Sequence, residues 1–135
     1  MLKKNKFILS TFLLVFSSSV FCNCEKYPVR WVQNKKTIEK TENICLMGRH
    51  ANSIDCSPLV QKSCPFSALK KSKEFNDMIK PLGSPGFNLC HTLEGSPQLY
   101  EIKINNEWKR FERCFWKKTQ SFVDIDELVS FYKTL

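Results

Sequence analysis

The chain has 135 residues, with 21 Lys or Arg against 13 Asp or Glu, so its formal net charge is +8. This length predicts one small domain. The basic residues form no dense block with interleaved aromatic residues, which disfavours a nucleic-acid partner. The sequence also has no Gly-rich phosphate loop and no G-x-S-x-G motif, so the common nucleotide-binding and serine-hydrolase classes are disfavoured.

The first 22 residues have the order of a secretory signal peptide: a basic start, an apolar stretch at 7–16, then three serines. The apolar stretch is shorter than the roughly 20 residues that a membrane-spanning helix needs. We predict cleavage before Asn23 and a secreted or periplasmic protein with a net charge of +5, because the leader carries three basic residues and no acidic one. Acylation at Cys22 or Cys24 is the alternative, although neither follows the small residue that a lipoprotein signal prefers.

Six of the seven cysteines remain after this cleavage, and an even number in a small exported chain predicts a disulfide framework. The six are Cys24, Cys45, Cys56, Cys64, Cys90 and Cys114. The sequence has no C-x-x-C pair, so zinc is disfavoured, and we predict no metal site and no cofactor. The residues alone leave the pairing of the six open.

Residues 23–66 are predicted to form an irregular, cysteine-containing segment. The stretch 29–33 is compatible with a short strand, and 34–43 with a solvated strand or loop. Residues 48–67 have the proline, cysteine and small polar composition of a loop. We therefore expect this segment to be held by bridges, and an α+β domain to follow over 67–135.

The pattern of 67–83 predicts a helix that a proline ends. A second short helix is predicted over 84–95, with Ser84 as its N-cap, Pro85 in its first turn and Gly95 as a C-terminal residue free to adopt positive φ.

The remaining pattern has period two. The stretches 99–104 and 108–116 predict a β-hairpin around an Asn-Asn turn, and 121–125 predicts a third strand. Asp126 is expected to cap a terminal helix. The predicted fold class is therefore α+β: a small disulfide-stabilised domain with a hairpin or three-stranded antiparallel sheet and two or three short helices.

A motif covers about a third of the chain, at 84–132: Ser84-Pro85-Gly86, then Cys90, Gly95, a hairpin and Cys114. It resembles a hemolysin-labelled family of short exported bacterial domains whose function is not established. The family pattern has Asn at the first position, Gly-Gly before the hairpin and an acidic turn after the last Cys. This chain has Ser84, Glu94 and a Lys-Lys-Thr-Gln turn there.

The resemblance implies a bridge between Cys90 and Cys114, and it leaves open the pairs among Cys24, Cys45, Cys56 and Cys64. It implies no catalytic residue. The residues point the same way, because neighbours such as Cys90 and His91 diverge by about 100° on a helix and make no obvious dyad. We predict that the protein is not an enzyme.

Aromatic residues are concentrated in the last third of the chain, and most are expected to form the core. A two-layer domain fully buries only one face of a hairpin, so we expect an aromatic–basic contact surface there. Its members are Trp108, Arg110, Arg113, Trp116, Lys117 and Lys118. Such a surface suits an envelope or target-cell protein, a glycan or an anionic membrane. We predict a binding or structural protein of the cell envelope or extracellular space, with a membrane-active, hemolysin-like protein as the alternative.

Overall fold

The computed structural model describes residues 23–56, 64–65 and 84–134. Its antiparallel sheet has six strands in the order β3-β2-β1-β4-β5-β6. In chain order the elements are β1 (Asn23–Gln33), β2 (Lys36–Met47), β3 (His50–Asn52), a short 3-10 helix (Ile54–Cys56), α1 (Pro85–Thr92), β4 (Ser96–Ile104), β5 (Glu107–Trp116), β6 (Ser121–Asp124) and α2 (Ile125–Thr134). None of the described helices is long and apolar enough to cross a membrane. The predicted helix at 67–83 and the signal peptide lie outside the described residues.

Strands β1 and β2 form one long hairpin, which corrects the prediction that 23–66 is irregular. Its ladder runs without interruption from the pair of Asn23 and Leu46 to the pair of Gln33 and Lys36. The two turn residues, Asn34 and Lys35, have φ values of 51° and 63°, the conformation of a tight type I′ hairpin turn. The sequence concealed this hairpin because much of it is polar and exposed, which weakens the alternation that marks a strand.

The second hairpin, of β4 and β5, is confirmed together with the strand that follows it. Asn105 and Asn106 form its turn with φ values of 51° and 64°, as the tolerance of Asn for this conformation predicts. Tyr100 lies opposite Phe111, and β6 extends the sheet beyond β5. The predicted three-stranded sheet is therefore one half of a six-stranded sheet.

Hydrogen bonds join the two outer strands of the sheet, β3 and β6, and make the sheet almost a barrel. The main-chain N–H of Ser53 donates to the carbonyl of Phe122 at 3.0 Å, and the N–H of Phe122 donates to Ser53 Oγ at 2.9 Å. The N–H of Asp124 donates to Asn52 Oδ1 at 2.8 Å. The edges of β3 and β6 are thus used within the molecule, where they are protected from pairing with other chains.

The two faces of the sheet carry separate hydrophobic clusters. The inner cluster fills the near-barrel and contains Val29, Ile44, Ala51, Tyr100, Ile102 and Phe122. The outer cluster lies where the helices cover β5 and β6, and it contains Leu89, Cys90, Cys114, Trp116, Val123, Ile125, Leu128 and Tyr132, with Cys56 and Cys64. The last four residues of β5, from Arg113 to Trp116, are therefore largely buried on both faces of the sheet.

The terminal helix α2 begins two residues earlier than the sequence indicated. The cap is Asp124 and not Asp126, because Asp124 Oδ1 accepts from the main-chain N–H groups of Asp126 at 2.9 Å and Glu127 at 3.3 Å. His50 Nδ1 lies 2.9 Å from the same oxygen. Burial raises the pKa of Asp124, and the hydrogen bond with His50 opposes that rise. This carboxyl group therefore connects β3, β6 and α2.

Helix α1 has the predicted cap, since Ser84 Oγ accepts from the N–H of Phe87 at 3.2 Å and Pro85 follows it. The predicted role of Gly95 was wrong. Glu94 has the positive φ, 60°, while the N–H of Gly95 donates to the carbonyl of Cys90 at 2.9 Å. Gly95 is needed for space, because a Cβ there would lie 2.3 Å from the sulfur of Cys114.

Three disulfides stabilise the protein: Cys24–Cys45, Cys56–Cys64 and Cys90–Cys114. Such a set is compatible with a secreted or periplasmic protein. The sulfur of Cys24 is bonded to that of Cys45, and the alternative of a lipid on Cys24 stays a prediction. The other lipid position, Cys22, lies outside the described residues.

Candidate functional site: a cleft between β1 and β4

The ladder between β1 and β4 is short. These strands pair only at Val29 with Ile102 and at Arg30 with Glu101. Beyond this point β1 continues to Gln33, and β4 extends back to Ser96. A cleft of about 680 Å³ lies between the two continuations. The sheet is therefore open at one internal position, although its outer strands are joined.

Side chains from both faces of the sheet line this cleft. Trp31, Gln98 and Tyr100 belong to the inner face, because they alternate with the buried positions of β1 and β4; Val32 and Leu99 belong to the outer face. Successive side chains of a strand point to opposite faces. A cleft lined by consecutive residues of two strands therefore runs through the plane of the sheet, where another strand would lie.

Pro97 indicates where the main chain of β4 points. Proline has no N–H to donate, so in a sheet it is found where that side of the strand has no partner. Pro97 is paired with Cys114 of β5 and lines the cleft on its other side. Because the direction of the main-chain groups repeats every second residue, we infer that the N–H and carbonyl of Leu99 point into the cleft.

Two exposed apolar side chains, one from β1 and one from β4, lie beside the cleft. Val32 is 71% exposed and Leu99 is 53% exposed, and both line the cleft. Phe87 of α1 contributes a third apolar side chain. Ile54, 41% exposed, is the other large exposed hydrophobic side chain of the described residues, and it lines a different cleft. Grouped exposed apolar residues mark interaction sites more often than single ones do.

The charged residues of the outer rim leave a positive excess. Arg30 Nε donates to Glu101 Oε2 at 2.5 Å, and this hydrogen bond, supported by the charges of Arg30 and Arg110, lowers the pKa of Glu101. The Arg30 guanidinium also lies 4.2 Å from the ring centroid of Trp108. Arg110 lies opposite Glu101 in the β4–β5 ladder and lines the cleft, but it is in none of the ion pairs formed within 4.0 Å by the described residues. An incoming acidic group would therefore meet Arg110 as its available partner.

Only part of the predicted aromatic–basic surface is exposed. Trp108 is half-buried and Arg110 is exposed at the rim, but Arg113 is 1% exposed and Trp116 is 5% exposed, so these two do not belong to a contact surface. Lys117 and Lys118 are exposed in the turn after β5, about 30 Å along the strand from Trp108 at about 3.4 Å per residue. The prediction assumed one buried face for the hairpin, whereas the near-barrel and the helices bury both faces of β5 from Arg113 to Trp116.

Arg113 is instead a buried interior cation. Its Nη1 donates to Glu42 Oε2 at 2.7 Å, and its Nε donates to Gln98 Oε1 at 2.9 Å. Its guanidinium lies 4.2 Å from the ring centroid of Tyr100 and 4.7 Å from that of Phe122. A buried charge needs such partners, since an unpaired one costs several kcal/mol. Arg113 thereby fixes Gln98 and Tyr100, two residues of the cleft wall.

Trp116 has a comparable structural role on the other face of β5. Its Nε1 donates to the carbonyl of Leu93, at the end of α1, at 2.9 Å. The disulfide between Cys90 and Cys114, the pair that the resemblance implied, joins the same helix to the same strand with 5.5 Å between the Cα atoms. These contacts hold α1 on the sheet and with it Phe87 beside the cleft.

Sequence reasoning missed the residues that form the cleft itself, Arg30, Val32 and Leu99. One available signal was Pro97 in a stretch of period two, because proline marks a strand side without a partner. The alternation of Val29 and Trp31 with Arg30 and Val32 was the other signal. Neither showed that the two edges face each other, because the β1–β4 pairing joins residues about 70 positions apart.

A second cleft, of about 430 Å³, lies between β2 and β6 and is more polar. Its charged lining includes Glu42, which Arg113 and Lys40 already neutralise. Among the described residues no group of three or more His, Cys, Asp or Glu side chains is placed to hold a metal ion.

Comparison with protein-family models, curated proteins and solved structures finds no match for this chain. The likeness to the hemolysin-labelled family remains a prediction.

Proposed function

We propose that this protein is an exported, non-enzymatic binding protein that holds a segment of another polypeptide in the β1–β4 cleft. One observation carries the proposal: pairing between β1 and β4 stops at Arg30 and Glu101, and a cleft with exposed Val32 and Leu99 takes its place. Main-chain groups at a sheet edge and pockets for alternate side chains are the features by which proteins bind extended peptides.

The cell envelope or the extracellular space is the proposed place of action. The three disulfides support it, because such bonds persist in oxidising compartments. A membrane-active role has less support, since the apolar face of α2 is buried against the sheet at Leu128 and Tyr132. Membrane binding is one outcome that the experiments below distinguish.

Selection from a displayed library of random peptides tests the proposal directly. The mature, oxidised protein should enrich peptides that also bind as free synthetic peptides. Leu99→Asp should weaken that binding about tenfold or more, because it places a charge at the apolar wall, whereas Ile54→Asp should leave it unchanged.

Ile54 is a matched control, since it is also a large exposed apolar residue but lies away from the β1–β4 cleft. Unfolding curves of both variants would show that each remains folded. No enriched peptide, or peptides that bind Leu99→Asp as well as the unmodified protein, would contradict the proposal. Binding to vesicles of anionic phospholipid with no peptide binding would favour the membrane-active alternative instead.

A further inference from the structure

We infer that the partner binds as an added β-strand, paired through its main chain with the edge of β4, and that it is an extended segment with apolar alternate residues and a carboxylate for Arg110. This inference rests on the proposed function and specifies its binding mode. The occupant is a segment of another protein, and this segment carries an acidic residue where it passes Arg110.

The position of the cleft supports strand addition. The cleft runs through the sheet plane between two strands that are paired at one end only, so an extended chain entering it would continue the local sheet. β3 and β6, the outer strands, are already joined through Ser53 and Phe122. The main-chain edge of β4 beside Leu99 is therefore the place where pairing capacity is left, within the residues that the structure describes.

The two walls of the cleft specify different side chains. On the outer face an added strand would meet Val32, Leu99 and Phe87, all apolar. On the inner face it would meet Trp31 and Gln98, a mixed surface. Because successive side chains alternate between faces, every second residue of the partner should be apolar, while those between can be small or polar.

The charges at the rim of the cleft and the net charge of the chain restrict which partner can bind. Arg30 is balanced by Glu101, whereas Arg110 is exposed and without an ion pair among the described residues. A carboxylate on the outward side of the added strand would supply that pair. The mature chain carries a predicted net charge of +5, so long-range attraction favours an acidic partner and disfavours a second copy of this chain.

A synthetic peptide tests the main-chain part of the inference. The probe is an acetylated and amidated eight-residue peptide in which Val alternates with Thr and one Val near an end is replaced by Glu. Single N-methylation along this peptide should weaken binding about tenfold at every second residue, where an N–H points to β4, and much less between. A loss that does not alternate, or no binding of the peptide at millimolar concentration, would overturn strand addition.

Charge exchange tests the acidic part. Arg110→Glu should weaken binding of the Glu peptide about fivefold, and replacing that Glu by Lys should restore binding to the variant. Arg49→Glu is the control, because it makes the same change of net charge in the exposed turn between β2 and β3. Equal weakening by both variants, or no recovery with the Lys peptide, would overturn the assignment to Arg110.

The two proposals fail in different ways. If library peptides bind in a manner sensitive to Leu99→Asp but the N-methylation pattern does not alternate, the cleft binds polypeptides and the strand mode is wrong. If no peptide of either kind binds, the proposed function itself fails.

Discussion

Two regions of the sheet differ in how they are covered: β5 and β6 under the helices, here called the covered end, and the internal gap between β1 and β4, here called the open end. At the covered end, where α1 and α2 lie over β5 and β6, Cys114 is 0% and Trp116 is 5% exposed. At the open end, where β1 and β4 separate, Val32 is 71% exposed. One end has both faces buried and a disulfide, while the other has an interrupted ladder and uncovered apolar side chains.

This difference shows which part of the protein supplies its stability and which part can keep unpaired main-chain groups and uncovered apolar side chains. Burial of apolar surface and a disulfide stabilise the covered end by several kcal/mol. A small domain needs only about 5–15 kcal/mol in total. The open end can therefore keep an incomplete ladder without unfolding the molecule. Three predictions test this division.

The largest change in the free energy of unfolding is expected when the disulfide of the covered end is removed. Cys90→Ala with Cys114→Ala should lower the free energy of unfolding by about 4 kcal/mol, measured by urea denaturation. In the matched control, Cys24→Ala with Cys45→Ala should lower the free energy of unfolding by about 3 kcal/mol. The two bridges close similar loops, with sequence separations of 24 and 21 residues.

The excess for the covered pair comes from packing, because Cys90 and Cys114 are both fully buried while Cys24 is exposed. Removing two buried sulfur atoms leaves a cavity, which adds to the loss of the cross-link. A greater loss from the Cys24 and Cys45 pair would show that the β1–β2 hairpin, and not the covered end, dominates the stability.

An intermediate effect is expected at the contact between the helices. A Cβ on Gly86 would lie 2.3 Å from Cγ2 of Ile125 and 3.1 Å from Cγ2 of Val129. Alanine normally favours a helix over glycine by about 1 kcal/mol. Gly86→Ala should nevertheless lower the free energy of unfolding by about 1–3 kcal/mol, because the helices must move apart.

Thermal and urea unfolding of this variant would be compared with His91→Ala, a change at an exposed position of the same helix. Adding Ile125→Leu, which removes the Cγ2 branch, should recover part of the loss. A stability gain from Gly86→Ala alone would mean that α1 and α2 are loosely packed and that the covered end is less different from the open end.

The smallest effect is expected at Tyr100, in the wall of the cleft. Its hydroxyl is buried and has no hydrogen-bond partner among the described residues, although its ring contacts Phe111 and Phe122. Tyr100→Phe should therefore raise the free energy of unfolding by about 1 kcal/mol at neutral pH. A loss of stability would show that the hydroxyl is satisfied and that the cleft wall is optimised like the core.

The same variant has a defined pH dependence. Burial raises the pKa of Tyr100 above its ordinary value. The neutral phenol therefore contributes stability that is fully present below the unfolded pKa of about 10, and that stability is lost as the pH rises through the folded pKa. Above about pH 10 the unfolding free energy of the unmodified protein should fall relative to that of Tyr100→Phe, as urea denaturation at several alkaline pH values would show.

Local rules predicted the second half of the fold well and the first half poorly. The Asn105-Asn106 turn and the Ser84 cap are confirmed, because backbone preference and a side-chain oxygen act within a few residues. The hairpin of β1 and β2 was missed because its apolar side is interrupted by charged residues. One of them, Glu42, is directed inward to a partner 71 positions away in the sequence.

The sequence by itself determined the Asn105-Asn106 turn, the Ser84 cap and the cysteines available for bridges, because these features act within a few residues. Only the tertiary structure decided what each strand face contacts. Closing the sheet through Ser53 and Phe122 buried Arg113, and placing α1 over β5 buried Trp116, so two residues predicted for the surface became interior. The short β1–β4 ladder, which stops at Arg30 and Glu101, is likewise a feature of the tertiary structure alone. Such outcomes depend on pairings between distant segments, whose relative positions no local pattern of residues encodes.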